Sequence, residues 1–452
     1  MNLRFLFALA VSKAVYHGMR LLGRQASYLP GWFAVKLCPD YLRHIRKAET
    51  VICVTGTDGK TTTANLLSDL LTAGGRKVAN NRIGSNTEFG IATAMTCSVT
   101  LGNRCRVDAV VLEVDEHYAR IVCPKVRSDY IVITNVLRDS LQRNAHPEYV
   151  AGKLSQIDCP HAKLILNADE LCSALLLPEN PRVYYAIARQ EGDGVIPPNR
   201  VNDCPDCPRC GAALDYDYVR YAHVGHVHCE KCGFASPAAD WLAEDTKTRR
   251  LTLRHGDRVY DLPMLHDSVF NIYNELAAVA VLYEMGLSAD AIRAALEATA
   301  LTKTRLTEVQ VGGVTVVSMM AKSNNSLPVS MVFDYIRKKP GKKAVILALD
   351  DLDESKSSER IGWIYDTDYA FLNDENIVQI IATGVRCWDH EVRLLLAGVP
   401  REKLVCMQDE LAAIEQLHRS GTESVYLLHD MSSYSRSVAA LEKIRKVLEG
   451  AL

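Results

Sequence analysis

The stretch Val51-Ile-Cys-Val-Thr55-Gly56-Thr57-Asp58-Gly59-Lys60-Thr61-Thr62-Thr63 decides the fold class. Its first five residues are continuously apolar or β-branched, the pattern of a strand buried on both faces of a parallel sheet. A loop with two glycines, a lysine and three threonines follows, and Ala64–Leu71 then carries apolar residues at helical spacing. Strand, glycine loop and helix N-terminus in that order make an anion site, because backbone amides and the positive end of the helix converge on one point. Gly56, Thr57, Asp58, Gly59, Lys60, Thr61 and Thr62 are therefore read as wrapping the phosphates of a nucleotide. In such a loop the lysine reaches the β and γ oxygens and the following hydroxyl, here Thr61, ligates Mg2+. The spacing between the glycines is shorter than in the Walker pattern.

More of the same architecture follows. Asp108–Asp115, Asp129–Val136 and Lys163–Asn167 read as further strands, ending in the polar groups Glu113/Asp115/Glu116, Thr134/Asn135/Arg138/Asp139 and Asn167/Asp169. Ligands of parallel α/β sheets bind beyond the carboxyl ends of the strands, so these groups are expected in one crevice with the phosphate loop. Glu113 is the expected second magnesium ligand. Glu116 and Asp169 fit equally well as helix N-caps. The helix His266–Met285, stopped by Gly286, closes this domain. Beyond residue 300, Val314–Met320, Ala344–Ala348, Ile377–Thr383 and Ser424–His429 read as strands alternating with helices, hence a second, Rossmann-like sheet. The expected division is 1–49, a helical segment; 50–300, an ATP-binding α/β domain; and 301–452, the C-terminal domain.

The cysteines fall into two populations. Nine of the 14 are scattered singly, as befits reduced, buried thiols of a cytoplasmic protein, and five lie between 204 and 232. Cys207-Pro-Arg-Cys210-Gly and Cys229-Glu-Lys-Cys232-Gly are two knuckles separated by 18 residues, the spacing of a four-cysteine zinc ribbon inserted at 202–236. Four thiolates leave no open position on zinc, so the site is read as structural. Cys204/Cys207 is an alternative first pair, but only Cys207/Cys210 carries the trailing glycine that lets the backbone turn tightly. His223, His226 and His228 lie between the knuckles, and one of them could replace a cysteine.

Charge and hydropathy exclude other classes. With 52 Lys+Arg against 54 Asp+Glu, the net charge of -2 rules out a generally basic nucleic-acid binder. The apolar run Phe5–Val11 is far short of the roughly 20 residues that span a bilayer, and no small-residue cleavage site follows it. Phe5–Leu22 reads as an amphipathic helix packed on its own domain, with contact to a membrane surface as the other reading. The basic run Lys338–Lys343 reads as a solvated turn, and Asp350, Asp351, Asp353 and Glu354 as an exposed acidic loop or a metal site.

The order of Gly56–Thr63, Asn81-Arg-Ile-Gly84-Ser-Asn86, Leu112-Glu-Val-Asp-Glu116, Thr134-Asn135 and Asn271-Ile-Tyr-Asn274-Glu-Leu-Ala-Ala278 resembles the Mur ligase superfamily of ATP-dependent carboxylate–amine ligases. The ribbon, Arg138-Asp139…Arg143 and Trp363-Ile-Tyr-Asp366 are similar to the MurT family within it, the ligase subunits of lipid II isoglutaminyl synthases. The resemblance covers nearly the whole chain. It implies ATP-dependent amidation of the D-glutamate α-carboxylate of lipid II, in peptidoglycan synthesis, through an acyl phosphate. It places Asn271 and Asn274 beside the nucleotide, and Arg305 as an arginine that reaches the phosphates on domain closure. No Gly-x-Cys-x-Gly elbow surrounds any cysteine, so ammonia is expected from a separate GatD-type glutaminase, whose Cys-His pair an aspartate of this chain completes. Asp366 is the match for that aspartate, with Asp353 behind it. The resemblance further implies a cytoplasmic enzyme working at the inner membrane face.

Departures from the family pattern concentrate in the C-terminal half: Lys303-Thr304-Arg305, Lys322–Ser326 and Ser357–Arg360, with Asp58 in the phosphate loop in place of asparagine. They leave two alternatives open, a Mur-type or folylpolyglutamate-type ligase that adds an amino acid, and a nucleotide-binding scaffold whose chemistry has decayed.

Overall fold

The computed structural model describes residues 2–82, 84–139, 146–246, 250–299, 306–321, 325–350, 361–429 and 434–450. The chain forms two compact units, the first of Met1–Leu137, His146–Ile196 and Asp203–Ala300, the second of Arg138–Ala145, Pro197–Asn202 and Leu301–Leu452.

The first unit is built on a nine-stranded sheet. Its strands are β1 (Thr50–Thr55), β2 (Val78–Asn80), β3 (Ala109–Glu113), β4 (Tyr130–Ile133), β5 (Lys163–Asn167), β6 (Arg182–Ile187), β9 (Trp241–Asp245), β10 (Arg250–His255) and β11 (Arg258–Pro263), and β7 (Asp215–Tyr221) and β8 (Val224–His228) form a separate hairpin. The order across the sheet is β11-β10-β9-β6-β5-β4-β1-β3-β2. β1 pairs in parallel with both β3 and β4, which puts it in the middle of the parallel core, and Val51, Ile52, Cys53 and Val54 are all fully buried. That double-sided burial is why its sequence is an unbroken apolar run.

Helices complete the layers. Lys60–Ala73 starts directly after the loop and buries Ala64, Leu66, Leu67, Leu70 and Leu71, its apolar stripe at helical spacing. It packs beside Val269–Glu284, a helix with Ile272–Leu282 buried on every side. The N-terminal helix Leu3–Leu21 docks on the same unit: Phe5, Ala8 and Leu9 join the core around Val51 and Val110, and Lys13 Nζ donates to the carbonyls of Thr96 and Val99. Among the described residues no helix is long and apolar enough to cross a membrane.

The second unit carries a six-stranded sheet of β12 (Leu306–Val311), β13 (Val314–Met320), β14 (Lys343–Ala348), β15 (Ile377–Thr383), β16 (Leu404–Met407) and β17 (Ser424–His429), in the order β12-β13-β17-β14-β15-β16. All pairs are parallel except the β12–β13 hairpin. Separate cores line its two faces, one around Phe333, Trp363 and Tyr369 and one around Ile346, Ile414 and Ile444. The expected α/β architecture, a phosphate-loop sheet followed by a Rossmann-like sheet, is the observed one.

Candidate active site

The phosphate loop is shaped by the end of β4. Asn135 holds Asp58 from both sides, its Oδ1 accepting the Asp58 N–H at 2.9 Å and its Nδ2 donating to the Asp58 carbonyl at 3.0 Å. Thr134 Oγ1 donates to the same carbonyl at 2.7 Å, and Thr57 Oγ1 bonds the Leu137 backbone. Oδ2 of Asp58 is buried without a hydrogen-bond partner. Gly59 opens the helix with φ of 82°, and a Cβ there would meet Asn274 Oδ1 at 2.2 Å. Only glycine permits that conformation and that approach together. Asn274 Oδ1 also accepts from Thr63 Oγ1 at 3.2 Å, and Asn271 lies next to it, 3.4 Å from its Nδ2. Two asparagines more than two hundred residues downstream thus stand at the helix N-terminus.

Lys60 Nζ donates to the carbonyls of Gly56 and Thr57 and pairs with Glu116 Oε1 at 2.7 Å. Glu116 is not an N-cap: Asp115 caps the helix Glu116–Val126 by accepting the His117 N–H at 3.0 Å. Burial pushes the Glu116 carboxyl above its ordinary pKa, and the Lys60 ammonium works against that shift. Glu113 ends β3 in register with Val54, at the loop end of the sheet, and its Oε1 accepts from Asn86 Nδ2 at 3.1 Å. Asn81 clasps the Glu113 backbone, accepting its N–H and donating to its carbonyl, both at 2.9 Å. Thr61 sits exposed in the first helical turn beside the partly buried Thr62. Arg305, Arg143 and Asp353 lie outside the described residues.

Asp169 is not a cap either. It is fully buried and accepts from Tyr218 Oη at 2.9 Å, Arg220 Nη1 at 3.1 Å, Tyr273 Oη at 2.7 Å and the Ile187 N–H at 3.1 Å, while Glu170 caps the helix Leu171–Ala174. Tyr218 and Arg220 alternate along β7, so one face of the ribbon hairpin is locked onto the sheet by this network.

The hairpin carries the cysteine cluster. Cys207, Cys210, Cys229 and Cys232 come together, with Cys207 Sγ 3.6 Å from Cys232 Sγ and Cys210 Sγ 3.6 Å from Cys229 Sγ. A tetrahedral site with Zn–S of about 2.3 Å has an S···S edge of about 3.8 Å, so the four sulfurs fit a zinc ion. The knuckles repeat one turn: Gly211 N–H returns to the Cys207 carbonyl and Gly233 N–H to the Cys229 carbonyl, both at 2.9 Å. Cys204 stays out of the cluster and is bonded to Cys172 instead. His226 and His228 pair with Asp217, and His223 is buried against Glu170.

In the second unit Asp366 closes the short helix Gly362–Asp366, and its half-exposed carboxylate meets Arg138 Nη1 at 3.3 Å. Its neighbour Asp368 is buried and accepts from Asn199 Nδ2 at 2.8 Å and the Arg200 N–H at 2.9 Å, which ties 197–202 to this unit. Asp350 is buried and paired with Arg436 at 2.8 Å, so this member of the acidic cluster is no exposed loop residue; Asp351 and Glu354 lie outside the described residues.

Comparison with known proteins agrees with this geometry. Residues 54–188 match the Mur ligase middle domain and residues 323–434 the MurT ligase C-terminal family. The chain is 30% identical over 400 residues to the lipid II isoglutaminyl synthase (glutamine-hydrolyzing) subunit MurT of Staphylococcus aureus (strain COL), covering 87% of this chain and 88% of that protein. It is 26% identical over 457 residues to the Streptococcus pneumoniae (strain ATCC BAA-255 / R6) subunit MurT, covering 99% of each. Among solved structures, a pseudomurein peptide ligase type C from Methanothermus fervidus shares the fold with a TM-score of 0.69 at 20% identity, over 90% of this chain and 81% of that one. A Mur ligase phosphate loop, a four-cysteine hairpin and a second α/β unit, in one chain aligned almost end to end with these subunits, place the protein in the MurT family of Mur ligases.

Proposed function

We propose that this chain is the ligase subunit of a lipid II isoglutaminyl synthase, converting the D-glutamate α-carboxylate of the lipid II stem peptide to the amide at the expense of ATP. The observation that carries the reading is the preformed phosphate loop, with Lys60 and Glu113 at the carboxyl end of β1 and β3 in a chain of this family. A carboxylate oxygen takes the γ-phosphoryl group as its bond to the β-phosphate breaks and ADP leaves; ammonia then attacks the acyl carbon, and phosphate leaves as the amide forms and a proton is released. Lys60 gives up Glu116 and turns its ammonium to the transferring phosphoryl group, stabilising the charge that spreads over its oxygens. Thr61 and Glu113 would hold the Mg2+ that accompanies ATP, and the ion would supply neutralising positive charge at the phosphates. Asn271 and Asn274 flank the helix N-terminus that receives the phosphates. Arg305 belongs to the same reading as a closing arginine.

Ammonia comes from a separate glutaminase of the GatD type. Asp366 is the aspartate we assign to orient the histidine of that partner, because its carboxylate is half-exposed and, among the described residues, is held by a single long contact, to Arg138. The ribbon holds structural zinc through its four cysteines. A cytoplasmic position at the membrane surface fits the exposed Leu3, Phe7, Leu21 and Leu22 on the N-terminal helix and its end. The functional boundaries we assign are 1–49, 50–300 with the ribbon at 202–236, and 301–452.

Mass spectrometry of lipid II incubated with the protein, ATP, Mg2+ and an ammonium salt tests the ligase reading. Conversion of the D-glutamyl acid to its amide is expected. ATP hydrolysis stimulated by an amino acid, with no such amide, would replace it with the amino-acid ligase reading, and no hydrolysis with any acceptor would favour a decayed site.

A further inference from the structure

Cys172, Cys204 and His223 form a second cluster of metal-ligating atoms, separate from the four-cysteine ribbon, with one ligand atom from each within 4.8 Å of the others. Three distant pieces of the first unit supply them: the helix Leu171–Ala174, the segment before the first knuckle, and the turn between β7 and β8. The two cysteines are bonded as a disulfide with Cα atoms 7.2 Å apart. His223 is 1% exposed, and its two nitrogens have opposite surroundings. Nε2 stands 2.9 Å from Oε1 of the fully buried Glu170, whereas Nδ1 is buried with no hydrogen-bond partner.

That asymmetry is what a metal ligand needs. Glu170 is fixed as an acceptor, since its carboxylate also takes the N–H groups of Val136, Cys172 and Ser173 at 2.8, 3.0 and 3.0 Å. The Nε2 proton therefore belongs on the Glu170 side, and the lone pair of the neutral ring is at Nδ1. A carboxylate, an imidazole and a cation in line is the arrangement that orients histidine ligands of zinc. A buried nitrogen lone pair left without a partner is unfavourable, a reason for something to occupy the position.

We propose that the reduced protein binds a second zinc ion through Cys172, Cys204 and His223 Nδ1, with Glu170 as the carboxylate behind the histidine and the fourth position left to water. The disulfide is the oxidised, metal-free form of the same site. A water-soluble phosphine converts the disulfide to the dithiol: it attacks the Cys172–Cys204 bond, gives up an electron pair, takes the oxygen of one water molecule to become its oxide, and the two protons of that water end on the cysteine sulfurs. Zinc then displaces both thiol protons to solvent as the thiolates bind. Two thiolates and one imidazole suit zinc among the abundant divalent ions, which otherwise prefer oxygen ligands.

The test is the zinc content of the full-length protein, reduced with the phosphine, loaded with Zn2+ and freed of excess metal by gel filtration. Wild type, Cys172→Ser/Cys204→Ser and His223→Gln are compared, since the ribbon contributes equally to all three and cancels in the difference. Both variants are expected to hold one zinc per chain fewer than wild type, with thermal melts confirming that each is folded. His223→Gln keeps a donor for Glu170 and removes only the ligand, so it serves even where the double variant does not fold. Equal zinc content in wild type and His223→Gln would overturn the proposal.

Discussion

Lys60 Nζ lies 2.7 Å from Glu116 Oε1, and the two side chains are only 13% and 6% exposed. The cation we assign to the phosphates is thus already neutralised by a carboxylate from the connection that follows β3. Breaking a buried pair from one side leaves an uncompensated charge, at a cost of about 3 kcal/mol. Glu116→Gln is therefore expected to lower the melting temperature and to show a larger ATP·Mg2+-induced rise in melting temperature than wild type, because the nucleotide then meets a lysine with no carboxylate to compete for its charge. Equal ligand-induced shifts would mean that Glu116 does not restrain Lys60. Lys60→Ala is expected to lose at least about a hundredfold in amidation rate, as removal of a fixed charge-stabilising donor does.

Gly59 and Asn274 make the complementary case in which shape, not charge, is at stake. With φ of 82° and Asn274 Oδ1 at 2.2 Å from a would-be Cβ, Gly59→Ala meets both backbone strain and a clash. The strain alone costs about 1–2 kcal/mol. ATP affinity measured by calorimetry is expected to fall by at least tenfold in Gly59→Ala. Combining it with Asn274→Ala relieves the clash but not the strain, so affinity is expected to stay below that of wild type. Full recovery in the double variant would show that the left-handed backbone is not required.

Glu275, next to Asn274, is fully buried and accepts the Leu265 N–H through its carboxylate. Burial raises its pKa from 4.5 to about 8, against the opposing backbone donors of Leu265 and His266. A raised carboxyl binds its proton more tightly in the folded state. Its stabilising contribution is therefore complete below pH 4.5 and is lost as pH climbs from there through about 8. Wild-type stability is expected to fall across that window by up to about 1 kcal/mol per pH unit more than that of Glu275→Gln. Urea unfolding of both proteins at pH 5 and pH 8 measures this, and parallel pH profiles would contradict it.

The four ribbon cysteines make a prediction about metal dependence. Replacing Cys207 and Cys232 by serine removes one sulfur from each knuckle, the two that stand 3.6 Å apart, so zinc release and a large loss of stability are expected, read by metal analysis and thermal melting. A metal-free variant as stable as wild type would rule out a structural role for zinc.

How far all this was legible in the sequence follows the physics of each part. Lys163–Asn167, Val314–Met320, Ile377–Thr383 and Ser424–His429 have the same bounds in sequence and structure, because strands buried on both faces read as near-continuous apolar runs. Trp241–Asp245, Arg250–His255 and Arg258–Pro263 went unrecognised: the first ends on exposed Glu244 and Asp245, the second buries Leu251 and Leu253 between exposed Arg250 and Arg254, and the third, at the sheet edge, buries only Leu262, so none shows an unbroken apolar run. The ribbon cysteines are legible since their spacing is fixed by a local turn. Glu116, Asp169 and Glu170 were not, because a single acid at the end of a strand looks alike whether it caps a helix, neutralises a lysine or orients a histidine. Only the tertiary fold chooses, bringing Lys60 to the first, Arg220 to the second and His223 to the third.

Asp366 carries the last prediction, which separates the two halves of the reaction. Its carboxylate is half-exposed, 3.3 Å from Arg138, on a helix whose Trp363 is buried in the core and whose end is fixed by Thr367 Oγ1 donating to the Trp363 carbonyl at 2.7 Å. Asp366→Asn keeps that scaffold and removes only the charge. If the aspartate orients the partner's histidine, the neutral amide fails to stabilise the imidazolium, and glutamine-dependent amidation in the reconstituted complex should drop by several orders of magnitude. Amidation from a saturating ammonium salt bypasses the glutaminase and should stay within about twofold of wild type. Equal loss with both nitrogen sources would move Asp366 from the partner's triad to the ligase reaction itself. Arg138→Ala distinguishes the ion pair from the triad, since an aspartate released from its arginine but still present should retain glutamine-dependent turnover.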